Sequence, residues 1–226
     1  MPDTVRMGHH GRAAAVVATV LAGLAALSSA GRAGAPEAAA GPTALFFGDS
    51  LVNGTGSVPR RPVEVRSVAD RMGWHAYVDG YGGTGYTTGG VHGRTYLDRL
   101  RHDHAMSRTY DVVILEGGTN DARHGSLTHL HDAAVSTVSL VRSRQPHARI
   151  VMVGGYAPPG IDTTRYAAAD AILAGVAEEL DVQYVSQLGF STTDEPGFLS
   201  ADRFHPSDHG YDVMGRALAA ALVKEA

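Results

Sequence analysis

The sequence contains no cysteine, one tryptophan and, at Lys224, one lysine among its 226 residues. Without cysteine there is no disulfide framework, no thiolate zinc or iron–sulfur site and no thiol nucleophile. The other 18 basic residues are arginines, which reads as coding bias more than as function. Nineteen basic against 23 acidic residues leave a net charge of -4. That balance argues against nucleic acid as a partner, which asks for a clustered cationic face. The longest apolar run, residues 13–27, falls short of the roughly 20 residues a bilayer-spanning helix needs. What is present is enough for a globular core: 44% of residues are hydrophobic, 19% are charged, and the 28 glycines follow no collagen period.

Arg6, His9, His10 and Arg12 precede the apolar run, and Ser28, Ser29 and Ala30 follow it. This is the order of a secretory signal peptide, favoured over an uncleaved anchor or a buried helix. Residues 1–30 are therefore expected to be removed, with a second acceptable site after Ala40, and 31–42 to form a flexible leader rich in Ala and Gly. The expected domain is 43–226, exported and without lasting membrane anchoring after processing.

Within that domain short apolar runs alternate with stretches of helical period. The runs are 44–47, 75–78, 112–116, 150–154 and 182–184; the helical stretches are 62–72, 127–144, 164–180 and 207–223. Pro146 closes the second stretch and Pro206 stands ahead of the fourth. The alternation predicts five parallel strands covered on both faces, a doubly wound three-layer α/β/α sandwich with its ligand crevice at the carboxyl ends of the strands.

Four polar clusters fall after those runs: Gly48-Asp49-Ser50-Leu51, the glycine-rich stretch 80–90, Gly117-Gly118-Thr119-Asn120-Asp121, and Asp202-Arg203-Phe204-His205-Pro206. A serine hydroxyl needs a base to take its proton and donors to meet the oxyanion it generates. Ser50, expected at a strand-to-helix turn, is the candidate nucleophile. His205 is the candidate base, and Asp202, three residues earlier, can reach Nδ1 and aim Nε2 at the serine. Asn120 offers an amide donor, Gly85 a backbone N–H unobstructed by a Cβ, and Ser50 its own N–H.

These blocks resemble the GDSL, or SGNH, hydrolase family. The match runs through Gly48-Asp49-Ser50-Leu51, Gly82-Gly83-Thr84-Gly85-Tyr86-Thr87-Thr88, Gly118-Thr119-Asn120-Asp121 and Asp202 to His205 with Pro206, and covers residues 44–223. The resemblance implies a flavodoxin-like sandwich, a Ser50-His205-Asp202 triad, and an oxyanion hole of Ser50, Gly85 and Asn120, with no metal and no cofactor. Several glycines of the second block can donate; the register set by Thr87 and Thr88 selects Gly85. Family members are esterases, lipases, thioesterases and carbohydrate deacetylases.

Plainer readings stand beside each block. Ser50 can cap the first helix, Asn120-Asp121 can be a turn, and an isolated Asp and His three apart usually belong to a loop. Four blocks in order outweigh them together. Residues 80–85 also spell G-x-G-x-x-G, but Thr87, Thr88, Gly89 and Gly90 follow where a dinucleotide fingerprint needs a helix. His102 with His104, and His129 and His131 near His124, read as surface residues, because no carboxylate set completes a metal site. Trp74 is expected in the core, and Tyr86 is left open between core and acyl pocket.

The leading expectation is thus a secreted serine esterase acting on short-acyl esters, glycan O-acetyl groups included, through an acyl-enzyme. The stretches 54–62 and 89–106 look like polar insertions unable to sheath a long acyl chain, so the cleft is expected to be open. An acyltransferase using the same triad and a lipase are the alternatives; a non-catalytic glycan-binding domain is least favoured. The partner is a small-molecule or glycan ester.

Overall fold

The structure, a computed structural model, describes residues 41–102, 104–190 and 195–224. The expected signal peptide and nearly all of the leader lie outside the described residues. Five strands, β1 (Thr43–Gly48), β2 (His75–Gly80), β3 (Val112–Glu116), β4 (Arg149–Val153) and β5 (Gln183–Val185), form one parallel sheet in the order β2-β1-β3-β4-β5. Six α-helices accompany them: α1 (Val63–Met72), α2 (Tyr96–His102), α3 (Thr119–His124), α4 (Leu127–Arg144), α5 (Thr164–Glu179) and α6 (Asp208–Lys224).

The sheet is covered on both faces because its strands are apolar on both. Successive side chains of a strand point to opposite sides. Leu45, Phe47, Val113, Leu115 and Met152 accordingly pack with residues of α2, α4 and α5, such as Leu100, Val138 and Leu173. Ala44, Phe46, Val112, Ile114 and Val151 pack with Val65 and Val68 of α1 and Leu218 and Leu222 of α6. β3, central in the sheet, is buried at all five positions, which is why its residues 112–115 are an unbroken apolar run; the fifth is the buried Glu116. β2 is an edge strand with no fully buried residue, half of its positions being exposed and the other half half-buried. Trp74 is half-buried ahead of it, its ring 6.5 Å from that of Phe46.

Two helices escaped the periodicity reading. α2 has only Tyr96 and Leu100 on its buried face, together with Arg99, so no apolar repeat announces it. It packs on α4, so Tyr96, Arg99 and Leu100 join the core, whereas residues 90–94 ahead of it are exposed. α3 is six residues long and buries Thr119, Asn120 and Asp121, a polar face that reads as a turn.

The strand order reverses direction at β1, which has β2 on one side and β3 on the other. A doubly wound sheet opens its crevice where such a reversal separates the following connections. Ser50 follows the carboxyl end of β1 and Asn120 that of β3, so both stand at this opening.

Candidate active site

β1 ends at Gly48, where a Cβ would lie 2.6 Å from the Glu116 carbonyl of β3, so only glycine lets the chain turn out of the sheet here. The Asp49 carboxylate then accepts the Leu51 N–H at 2.9 Å, an Asx-type turn that fixes the backbone around Ser50. The expected strand-to-helix turn is corrected in one respect. Residues 49–57 form a series of turns and α1 begins only at Val63, with Pro62 as its N-cap residue, so Ser50 caps no helix.

His205 reaches across 155 positions of sequence to Ser50, its Nε2 2.9 Å from the serine Oγ. Its Nδ1 lies 2.6 Å from Oδ2 of Asp202. A carboxylate only accepts, so Nδ1 carries the proton and Nε2 is the acceptor facing the serine hydroxyl. The other carboxylate oxygen, Oδ1, takes the N–H groups of Phe204 and His205 and the Ser200 hydroxyl, each at 2.9 Å. Burial pushes the Asp202 carboxyl up, but the bonds from the His205 ring, the two amides and Ser200 outweigh it and hold it well below the usual carboxylate range. The loop is closed by the Leu199–Pro206 bridge and by the Ser200 N–H on the His205 carbonyl at 2.8 Å.

Asn120 is 6% exposed beside Ser50 and donates both Nδ2 protons, one to Asp49 Oδ2 at 2.8 Å and one to the Thr84 carbonyl at 3.0 Å. Its neighbour Asp121 clasps the glycine-rich stretch, accepting the Tyr86 N–H at 3.2 Å and the Thr87 N–H and hydroxyl at 2.7 Å. Tyr86 is thereby turned into the core against Tyr96, ring centroids 5.0 Å apart, and is no part of the cleft wall.

Gly85 does not face Ser50. Its N–H is donated to the Thr88 carbonyl at 2.8 Å, inside the tight loop closed by the Thr84–Gly89 bridge. Its Cα packs on the Asp121 carboxylate, where a Cβ would come within 2.4 Å of Oδ2. The glycines that border the nucleophile are Gly82 and Gly83, which share an open cleft of about 360 Å³ with Ser50, Asn120 and His205. Among the described residues neither amide has an acceptor, and the Ser50 amide has none either. The adjacent pair Gly82-Gly83, one residue beyond the end of β2, was the available signal; the threonine register pointed past it. The G-x-G-x-x-G spacing leads into that loop and not into a helix.

Sequence reasoning also missed what stands behind these groups. Arg99, 1% exposed, donates to the Gly48 carbonyl at 2.6 Å, to the Thr84 hydroxyl at 2.9 Å, and to Asp79 at 2.6 Å through its carboxylate, tying β1, β2 and the glycine-rich stretch together. Deeper still lie the carboxyls of Asp49, Glu64 and Glu116, as fully buried as that of Asp121. Burial pushes Asp49 up to about 7 and Glu64 up to about 8, and pushes Glu116 well above its ordinary value. Asp121 raises Asp49 further by proximity, Asp49 raises Glu64, and Glu64 and Asp49 raise Glu116; Gln187 donates to Glu64 at 2.8 Å. The histidine pairs are exposed, His131 bonding Asp132 and Glu179, but His124 lines the cleft.

The sequence matches the GDSL-like lipase/acylhydrolase family over residues 46–213. A comparison with curated protein sequences gave no match. Among solved structures the chain is similar to a family two carbohydrate esterase from Clostridium thermocellum in complex with cellohexaose, at 21% identity and a TM-score of 0.66 over 81% of this chain and 64% of that one. It is similar to a carbohydrate acetylesterase from Sinorhizobium meliloti, at 19% identity and a TM-score of 0.62 over 82% of this chain and all of that one. A salicylyl-acyltransferase from a tetracycline biosynthetic pathway, at 17% identity and a TM-score of 0.63, covers 83% of this chain, which spans 56% of that one. At these identities the structural likeness establishes the fold, and the family match carries the activity: the chain belongs to the GDSL-like lipase/acylhydrolase family and is a carboxylic ester hydrolase.

Proposed function

We propose that this protein is an exported serine esterase that removes short acyl groups, sugar O-acetyl groups among them, through a covalent acyl-enzyme on Ser50. The observation that carries the reading is the relay from Ser50 Oγ to His205 Nε2 at 2.9 Å and from His205 Nδ1 to Asp202 at 2.6 Å. The expected signal peptide supports export.

In this reading the Ser50 Oγ bonds to the ester carbonyl carbon while its proton passes to His205 Nε2, and Asp202 steadies the imidazolium. The carbonyl oxygen, now an oxyanion, lies against the Ser50 N–H, a free N–H of the Gly82-Gly83 pair, and Asn120. Both Asn120 protons are engaged at rest, and a charged oxyanion competes for the Nδ2 proton better than the neutral Thr84 carbonyl does. Collapse of the intermediate breaks the bond to the alcohol, which leaves with the proton from His205. Water then repeats the sequence on the acyl-enzyme, restoring Ser50 and releasing the acid.

The cleft supports the short-acyl assignment. Phe204 is its one apolar side chain among the described residues and no aliphatic residue lines it, whereas pockets that sheath long chains are mainly apolar. The structural neighbours that act on carbohydrate esters support a sugar on the alcohol side. The test is kcat/KM over p-nitrophenyl esters from acetate to palmitate, with acetate release from acetylated xylan. A maximum between acetate and butyrate is expected; a maximum at dodecanoate or longer makes the protein a lipase. Acyl transfer to an added sugar faster than hydrolysis makes it an acyltransferase.

A further inference from the structure

We propose that the cleft selects esters whose alcohol portion carries a negative charge, a carboxylate or sulfate on a hydrophilic alcohol, with Arg60 and Arg123 as the side chains that recognise it. The proposal rests on the hydrolase reading of Ser50 and names the kind of substrate that site takes.

Both arginines line the same cleft as Ser50 and His205, with His124 beside them. No aspartate or glutamate lines it among the described residues, although the protein as a whole has a net charge of -4. Nor does either arginine have an ion-pair partner among the described residues, whereas Arg61, Arg71, Arg99 and Arg216 each pair with an aspartate. An unpaired guanidinium pair in a concave site attracts anions from solution and offers carboxylate or sulfate a planar fork of donors.

The arrangement also says which half of the ester bears the charge. Arg123 follows Asn120 by three positions on α3, so both side chains leave the same face of that short helix. The Arg123 guanidinium lies over the Phe204 ring at 4.1 Å, and Phe204 meets the His205 ring edge-on at 5.0 Å. His205 is the group that hands its proton to the departing alcohol, so the alcohol sits on the Phe204 and Arg123 side. Arg60 belongs to a segment held in place from within: the Ser57 hydroxyl accepts the Arg61 N–H at 2.7 Å, and the Arg61 side chain pairs with Asp208. The absence of aliphatic lining argues for a hydrophilic anionic alcohol, such as an acidic saccharide, over an anionic lipid.

The experiment compares kcat/KM for phenyl acetate, 4-acetoxybenzoate, 4-acetoxybenzenesulfonate and the cationic 4-acetoxy-N,N,N-trimethylanilinium, each divided by its rate of alkaline hydrolysis to remove leaving-group chemistry. At low salt the anionic esters should exceed phenyl acetate by about tenfold and the cationic ester should fall below it, the preference fading as salt is raised. Arg60→Gln and Arg123→Gln should each lower the anionic-to-neutral ratio by about threefold, the scale of an exposed ion pair, and the double variant should bring it near one. Arg66→Gln, an exposed arginine on α1 away from the cleft, should leave the ratio unchanged. The carboxylate and sulfonate arms tell the two anions apart. Equal normalised values for anionic and neutral esters, or a preference that survives in the double variant, overturns the proposal while leaving the esterase intact. Failure to hydrolyse phenyl acetate or any of the other esters overturns the hydrolase reading itself.

Discussion

Asn120 gives one of its amide protons to Asp49, the residue immediately before Ser50, at 2.8 Å. The other oxygen of the same carboxylate holds the Leu51 N–H, so one buried side chain fixes both the nucleophile turn and the oxyanion amide. Asp49→Asn leaves a single oxygen for two donors, and a buried donor without its acceptor costs about 1–3 kcal/mol. We expect the variant to fold and to lose about tenfold in kcat on p-nitrophenyl acetate, against the roughly 10² to 10³ expected for Asn120→Ala, which deletes the donor. A kcat equal to the parent in Asp49→Asn would mean that Asn120 needs no help to hold its place.

The two glycine positions separate chemistry from packing. At Gly82 a Cβ has room, its nearest neighbour being the Ser50 Cβ at 3.8 Å, whereas at Gly85 it would meet the Asp121 carboxylate at 2.4 Å. Gly82→Ala should therefore keep its melting temperature while losing kcat, because a methyl group then stands at the mouth of the oxyanion site. Gly85→Ala should lose stability, by about 1–3 kcal/mol on the usual scale of overpacking, because the Asp121 clasp must move. Melting curves and kcat on one short ester measure both. The opposite pattern, activity lost at Gly85 with stability kept, would restore Gly85 to the oxyanion hole.

That reversal marks where the sequence stops being informative. β3 and α4 were read to the residue, because a run buried on both faces and a helix closed by Pro146 leave little latitude. The four polar blocks could be placed because each follows a strand. Which N–H of a glycine-rich stretch points at the serine is another matter: it depends on the turn that Asp121 imposes from 34 and 35 positions away. Arg99 was silent for a similar reason, since its acceptors on Gly48 and Asp79 become neighbours only when β1 and β2 pair. α3 was invisible to periodicity because its buried face is the polar one that carries Asn120.

The buried carboxyls predict how stability depends on pH. Asp49 and Glu64 have ordinary values of 3.8 and 4.5, and burial pushes them up to about 7 and about 8 in the folded protein. Across that window the unfolded chain has released these protons and the folded chain still binds them, so folding loses stability as pH rises from about 4 to about 8. The urea midpoint should be higher at pH 5 than at pH 8. Glu64→Gln keeps an oxygen for the Gln187 amide and removes one titrating proton, so the difference between the two midpoints should shrink. A midpoint that rises from pH 5 to pH 8 would mean that the cluster is ionised in the folded state.

The esterase chemistry depends on Ser50 as its nucleophile. The protein is treated with a p-nitrophenyl alkylphosphonate, which captures an activated serine as a stable phosphonyl ester, and the adduct is located by peptide mass spectrometry. One equivalent of p-nitrophenol should be released per chain, activity should vanish in step with it, and the adduct should sit on Ser50; Ser50→Ala should neither react nor turn over esters. An adduct on another residue, or a Ser50→Ala protein that hydrolyses p-nitrophenyl acetate at the parent rate, would contradict it.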